Sequence, residues 1–291
     1  MFRFSIVSCY GPMHLFDVSG GNAPALFGLL SQRTRAVLDR SSHYKVFSWQ
    51  QSWPCYSQSR ALHSGSLPVR LAATSVNHSA APDIHPQARE VLKFWLGDDF
   101  LEVKPNSLPL EKKKVWFGGG ASIDKDMTDR FGSLMKQAAD SGLCDWTQGY
   151  DGLAAVLVFD QFSRNIYRGT STMYDLDIVA RKRARSLLDS HAVASFPLIH
   201  TLWLLYPFVH SEDAHDHETS VSLVKQMIKE AQALQGADEL QAYLQVVMGF
   251  TKGHKEVIDK WGRFPHRNKI LGRSNTPEED KAMAAGLIPH F

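Results

Sequence analysis

Gly152-Leu153-Ala154-Ala155-Val156-Leu157-Val158-Phe159-Asp160-Gln161-Phe162-Ser163-Arg164-Asn165-Ile166-Tyr167-Arg168 is the stretch that decides the fold. From Leu153 to Phe159 every residue is apolar, and neither Gly nor Pro interrupts the run. A helix that is apolar on every side belongs in the middle of a bundle, so a central helix is expected over about 152–166. Its second half then turns polar. Asp160, Arg164 and Arg168 succeed each other at i, i+4 and share one face. One reading is an ordinary Asp–Arg surface pair with a further Arg favoured by the helix dipole. The other turns Asp160 and Gln161 inward. Buried charges need partners, so that arrangement requires a specific polar network.

Working outward, the chain is helically periodic from about Pro86. Val91, Leu92 and Trp95 start a first helix that stops at Gly97. Ser122 is the expected N-cap of a second, carried by Ile123, Met127, Phe131, Leu134, Met135 and Ala138 and ending near Gly142. Further helices are expected over 172–189, over 196–208 with a cut at Pro207, over 213–234 and over 239–260. Thr276-Pro277-Glu278-Glu279 has the form of a capping box with Pro at the first helical position and opens a short last helix. No alternating strand pattern of useful length occurs. The expected fold is all-α, one domain over 83–291, built from antiparallel helix pairs joined by short loops.

Residues 1–82 have a different character. They are rich in Ser, Arg, Ala and Gly, and they hold seven basic against two acidic residues, a net charge of +5, which leaves the rest of the chain at −3. The segment shows no period, so a disordered extension is expected, and its Arg/Ser-rich, acid-poor composition is that of a mitochondrial transit peptide. The location is thus expected to be mitochondrial or cytoplasmic. The mildly acidic body argues against nucleic acid as the main partner. No apolar run reaches the length of a membrane span. Gly118-Gly119-Gly120 lacks the strand before it and the Lys-Ser/Thr after it that a phosphate loop needs, and no cofactor is expected.

Three polar clusters carry the candidate chemistry. The first is the end of the central helix: Asp160, Gln161, Arg164, Asn165 and Arg168 as ligand-binding candidates. The second is His210-Ser211-Glu212-Asp213-Ala214-His215-Asp216-His217, with His210 and Glu212 as acid/base candidates because His titrates near neutral pH. Ser211 is expected to cap the helix after it. His215 and His217 diverge on a helix, so no metal site is expected there. The third is Trp261-Gly262-Arg263-Phe264-Pro265-His266-Arg267-Asn268, too broken by Gly and Pro to be a helix. Its dense donors, Arg263, Arg267 and Asn268 with His266 beside them, suit an anionic group or a carbonyl. A structural alternative has Phe264 and Pro265 plugging the core while the arginines bind carbonyls at helix ends.

These clusters, in this order, resemble the family called domain of unknown function 924. The matching pieces are Phe94-Trp95, Trp116-Phe117, Phe159-Asp160-Gln161-Phe162-Ser163-Arg164-Asn165, Arg168-Gly169-Thr170, Tyr206-Pro207-Phe208-Val209-His210-Ser211-Glu212-Asp213, Gly262 to Asn268, Leu271-Gly272-Arg273 and Thr276 to Glu279. The resemblance spans about 86–284. It implies an all-α array similar to tetratricopeptide-repeat domains, and it implies no activity. The sequence departs from the family's pattern at Ser163, at Trp261 and over 215–217.

The residues support three functional expectations. The first is a pocket that binds a small anionic metabolite or peptide end, with Arg164, Arg168, Arg263 and Arg267 holding the anion and His210, Glu212 and His266 orienting it. The second is a metabolic enzyme with His210 or His266 as general base and Arg267 stabilising negative charge. The third is a helical scaffold for a protein partner.

Overall fold

The computed structural model describes residues 82–289, apart from 113–114, 117–119 and 191. The expectations for residues 1–81 and for Gly118-Gly119 therefore lie outside the described residues. Every regular element among the described residues is helical, and none is a strand. No described helix is long and apolar enough to cross a membrane.

Helix α1 (Pro86–Leu96) begins with proline, where the missing N–H costs nothing, and His85 Nδ1 accepts from the Gln87 N–H. Helix α2 (Ala121–Ser141) starts at Gly120 rather than at the expected Ser122 and ends at Gly142, whose φ of 66° closes it. Helix α3 begins at Gly149–Leu157, widens into a π-helical turn over Val158–Phe162 and finishes at Ser163–Ile166. Residues 152–165 are all buried, as their composition demands of a central element. A π turn inserts one residue into the helix and rotates the residues beyond it. Here it lies across Asp160 and Gln161, and both side chains end up inside.

Helix α4 (Asp177–Asp189) is shorter than expected, because Ser171–Tyr174 forms a separate 3₁₀ turn before it. Residues 198–209 form one helical stretch, α5, made of Leu198–Thr201, a 3₁₀ turn at Leu202–Leu204, and Tyr206–Val209. Pro207 does not cut it, since the 3₁₀ turn just before leaves its position without an obligatory N–H bond. Helices α6 (Ala214–Gln232) and α7 (Asp238–Trp261) form the longest hairpin. The N-cap of α6 is Asp213, which accepts from the His215 N–H, and not Ser211. Ser211 instead bonds Asp216 and accepts from the Asp213 N–H. The expected capping box of α8 (Pro277–Ala284) is present in both halves.

Trp95, Trp203, Phe162 and Phe131 meet in the main core, with Trp95 and Trp203 rings 5.2 Å apart in an edge-to-face pair. A second, small apolar cluster of Val257, Ile258 and Phe264, covered by Trp261, anchors the irregular segment after α7. The site occupies the seam between these two cores.

Candidate functional site

The π turn of α3 delivers Asp160, 1% exposed, to the C-terminal end of α5. His210 caps that end, and its Nδ1 donates to Asp160 Oδ1 at 2.8 Å. Gln161 Nε2 donates to Asp160 Oδ2 at 2.6 Å, and Arg164 lies 3.0 Å from Oδ1. Arg164 also forks onto Asp177 of α4 through two bonds of 2.8 and 3.0 Å. Burial opposes the charge on Asp160, but the Arg164 and His210 beside it outweigh that cost and hold its carboxyl down to about 2. A carboxylate in that state only accepts, so His210 Nδ1 carries the proton and Nε2 carries the lone pair. Nε2 makes no hydrogen bond among the described residues, and 14% of the side chain is exposed. Burial, then the Arg164 charge, lower the pKa of His210, so its ring is neutral at pH 7.

Around this dyad the network continues on both sides. Asn165 donates to the Gln161 carbonyl and accepts from Arg168, which forks onto Asp124 of α2 at 2.7 and 3.0 Å. Arg267 donates to the backbone carbonyl of His210 at 2.9 Å and lies 4.0 Å from Asp177. The rings of Phe264 and Tyr174 lie against its guanidinium at 4.3 and 4.7 Å. Tyr206 and His254 flank the His210 ring at 5.9 and 6.5 Å.

The third cluster folds on itself. Glu212 accepts from the Phe264 N–H and from both ends of the Arg273 guanidinium. Burial raises its pKa, but those donors prevail and hold it below the usual value. Arg263 forks onto Glu279 at 2.7 and 2.6 Å. Asn268 donates to Asn275 and Glu279 and accepts from Arg273. His266 packs its ring 5.5 Å from that of Phe264.

Thus the expected residues are linked by a continuous chain of contacts, though they come from segments over 100 residues apart. They divide into three groups. Asp160, Gln161, Arg164 and His210 form one constellation, with Arg267 at its edge. Asn165 and Arg168 tie that constellation to α2. Glu212, Arg263 and Asn268 belong to a separate knot around Arg273 and Glu279. Arg164, Arg168 and Arg263, expected to face an anion, each fork onto a carboxylate. Asp177, Tyr174 and His254 carry no signal in the sequence that marks them out. Asp177 is 13 residues from Arg164, a spacing with no helical meaning. His254 sits on the apolar face of α7 as one more core position.

Among the described residues no three His, Cys, Asp or Glu side chains converge as a metal site. His215 points outward, 68% exposed, while His217 is buried with Nε2 on the Ser211 carbonyl at 2.7 Å. An open groove of about 580 Å³ runs past Arg181, Glu212, Asp213, Ile258 and Gly262, on the side of the closed knot.

Comparison with known proteins accords with this architecture. A protein of unknown function from Agrobacterium tumefaciens, solved as a structure, is 29% identical, with a TM-score of 0.54, over 69% of this chain and 98% of its own. Among curated proteins nothing matches. The family described as "Bacterial protein of unknown function (DUF924)" matches residues 91–286, and the chain belongs to it.

Proposed function

We propose that this protein acts on, or binds, a small molecule at His210, with Asp160 fixing the imidazole as a neutral base whose lone pair points to the ligand. The observation that carries this reading is the asymmetry of the two ring nitrogens: Nδ1 is tied to a buried carboxylate at 2.8 Å, and Nε2 has no protein partner among the described residues. A histidine whose protonation site is chosen by a carboxylate behind it is the recurring form of a general acid–base group. Lowering of its pKa by burial and by Arg164 supports a base that is unprotonated at neutral pH. The arginines first expected to hold an anion are engaged within the protein, Arg164, Arg168 and Arg263 with Asp177, Asp124 and Glu279 and Arg267 with the His210 carbonyl, so the reading rests on His210. Glu212, Asn268 and Arg263 then serve the site by holding the segment that carries Arg267. His266 neighbours that segment as a second, more peripheral acid/base candidate.

Nitrogen-15 NMR of the histidines in the full chain tests this. The expected result is an Nδ1–H tautomer for His210 that converts to the other tautomer or a mixture in Asp160→Asn. An Nε2–H tautomer in the unmodified protein would overturn the reading. A thermal-shift screen of small metabolites gives the functional arm. Compounds that raise the melting temperature should lose most of that effect in His210→Gln and keep it in Arg263→Lys.

A further inference from the structure

Arg164 stands between two carboxylates carried by different helices. Asp160 lies one turn before it on α3, and Asp177 occupies the first turn of α4, where the helix dipole favours its charge. The guanidinium divides unequally between them. Asp177 takes the fork, with Nη1 at 2.8 Å and Nη2 at 3.0 Å. Asp160 has Nη1 at 3.0 Å from Oδ1 and at 2.9 Å from its backbone carbonyl. An Nη nitrogen carries two hydrogens, and three acceptors share those of Nη1. The paired bonds go to Asp177, so the hold of Arg164 on Asp160 Oδ1 is the weaker one. That same oxygen accepts from His210 Nδ1.

The charges around the ring make the division matter. Those facing His210 are Asp160 and Arg164 from α3, Asp177 from α4 and Arg267 from the segment after α7, with the Glu212–Arg273 pair beyond. The titratable side chains packed about this group are Tyr206 on α5 itself, Tyr174 in the turn before α4 and His254 on α7. Two carboxylates offset two buried guanidiniums. Without the Asp177 charge, Asp160 alone would face Arg164 and Arg267. The Arg164 fork would then turn to Asp160, across the oxygen that His210 uses. Burial, foremost, and Arg164 lower the pKa of His210, whereas Asp160 and Asp177 raise it.

Resting on the acid–base reading above, we propose that Asp177 is a positioning residue for the His210–Asp160 dyad: by taking the fork of Arg164 it reserves Asp160 Oδ1 for His210 Nδ1, and so fixes both the tautomer and the basicity of the ring. Asp177 makes no hydrogen bond to either member of the dyad among the described residues, so it acts through Arg164. The contact between α3 and α4 thereby sets the state of a base that sits at the end of α5.

The test is nitrogen-15 NMR of His210 in the full chain, near pH 7.5 for the tautomer and through a pH titration for the protonation constant. Asp177→Asn keeps the size of the side chain and one acceptor for Arg164. In it, part of the Nδ1–H signal should pass to Nε2–H, and the protonation constant should fall about tenfold. Asp177→Glu, which keeps the charge, should keep the Nδ1–H tautomer. Arg164→Gln removes the competitor, so Nδ1–H should stay and the protonation constant should rise about tenfold. Adding Asp177→Asn to Arg164→Gln should move the tautomer no further. A folded Asp177→Asn protein with unmoved His210 signals and only a lower melting temperature would make Asp177 merely structural and overturn the proposal. Should Asp177→Asn not fold, Arg164→Gln decides: a His210 that loses Nδ1–H there, or is no easier to protonate, overturns it equally. Either failure leaves the acid–base reading standing if the unmodified protein shows Nδ1–H. An Nε2–H tautomer in the unmodified protein would remove both.

Discussion

The dyad at the end of α3 and the knot around Glu279 contain the same kinds of residue at similar density, yet they differ in one respect. In the knot, hydrogen-bond accounting closes. Glu279 takes Arg263, Asn268 and the Thr276 N–H, and Glu212 takes Arg273 and the Phe264 N–H. Around Asp160 the accounting closes for the carboxylate but leaves His210 Nε2 open, beside a cation held between aromatic rings. Polar density alone does not mark a site. A network that satisfies all its members builds structure, and one that leaves a titratable atom facing outward is equipped for chemistry.

The largest expected effect probes the hinge between the two regions. Phe264 is fully buried, anchors the small core and lies against Arg267. Phe264→Ala should destabilise the protein by about 3–5 kcal/mol, the range for buried aromatic truncations. It should leave the Nδ1–H tautomer of His210 in place, since Asp160 holds that nitrogen and Arg267 bonds only the backbone carbonyl. Denaturant melts measure the first and histidine NMR the second. A loss below about 1 kcal/mol would mean that the C-terminal segment is not packed as a plug.

That result bears on how much of the molecule was legible in the sequence. Helix existence and type were legible throughout, because apolar spacing of 3.6 residues reports directly on a buried face, as in α2 and α7. Helix ends were less so. Ser211 and Ser122 looked like caps, but Asp213 and Gly120 occupy those positions. A capping side chain can also be drawn into a tertiary bond, as Ser211 is by Asp216. The inward face of Asp160 and Gln161 was one of two open readings, since the π turn that selects it has no spacing signature. The partners of the arginines were not legible at all. Asp124, Asp177 and Glu279 reach them through the tertiary fold, and charge spacing along a helix sees only i±3 and i±4. Four arginines therefore looked available to an anion, whereas Arg164, Arg168 and Arg263 fork onto carboxylates and Arg267 bonds the His210 carbonyl within 4.0 Å of Asp177.

Acid should act on the dyad region more than on the knot. Burial, foremost, pushes the pKa values of His210, His217 and His254 below the usual range, and that of His200 to about 3. The unfolded chain binds protons at these histidines below about pH 6.5 and the folded chain does not. Stability should therefore be level above neutrality and fall as pH drops below about 6.5, by at most about 1.4 kcal/mol per pH unit for each histidine still neutral in the fold. Asp160 acts in the same direction, in a separate and more acidic window. Its lowered pKa stabilises the fold above about 4, and that contribution disappears between about 4 and 2. Urea melts from pH 8 to 3 should show the histidine slope first. A flat profile between pH 7 and 5 would mean that these rings are not buried neutral. His254→Gln should remove part of the slope.

Within the knot, Glu212→Ala removes a half-buried carboxylate that serves both the Phe264 N–H and Arg273. Leaving those donors without their acceptor should cost on the order of 1–3 kcal/mol. The tautomer of His210 should not change, since Glu212 makes no contact with the dyad that a hydrogen bond would record. A shift in that tautomer would show the two regions to be one site rather than neighbours.

The smallest effect offers the cleanest separation of the two regions. Thr276 caps α8, accepting from the Glu279 N–H at 3.2 Å, and Glu279 returns the bond to the Thr276 N–H at 2.7 Å. Thr276→Ala deletes one half of this box and should cost about 1 kcal/mol, as N-cap losses do. Glu279 keeps Arg263 and Asn268, so the knot stays closed while its helix is weakened. If the knot is purely structural, melting falls slightly, and the His210 tautomer and the thermal shift given by compounds that act at His210 are unchanged. If that thermal shift weakens in proportion to the lost stability, α8 is instead part of the ligand's own enclosure. The division between a closed knot and an open dyad would then have to be redrawn with Thr276 on the ligand's side.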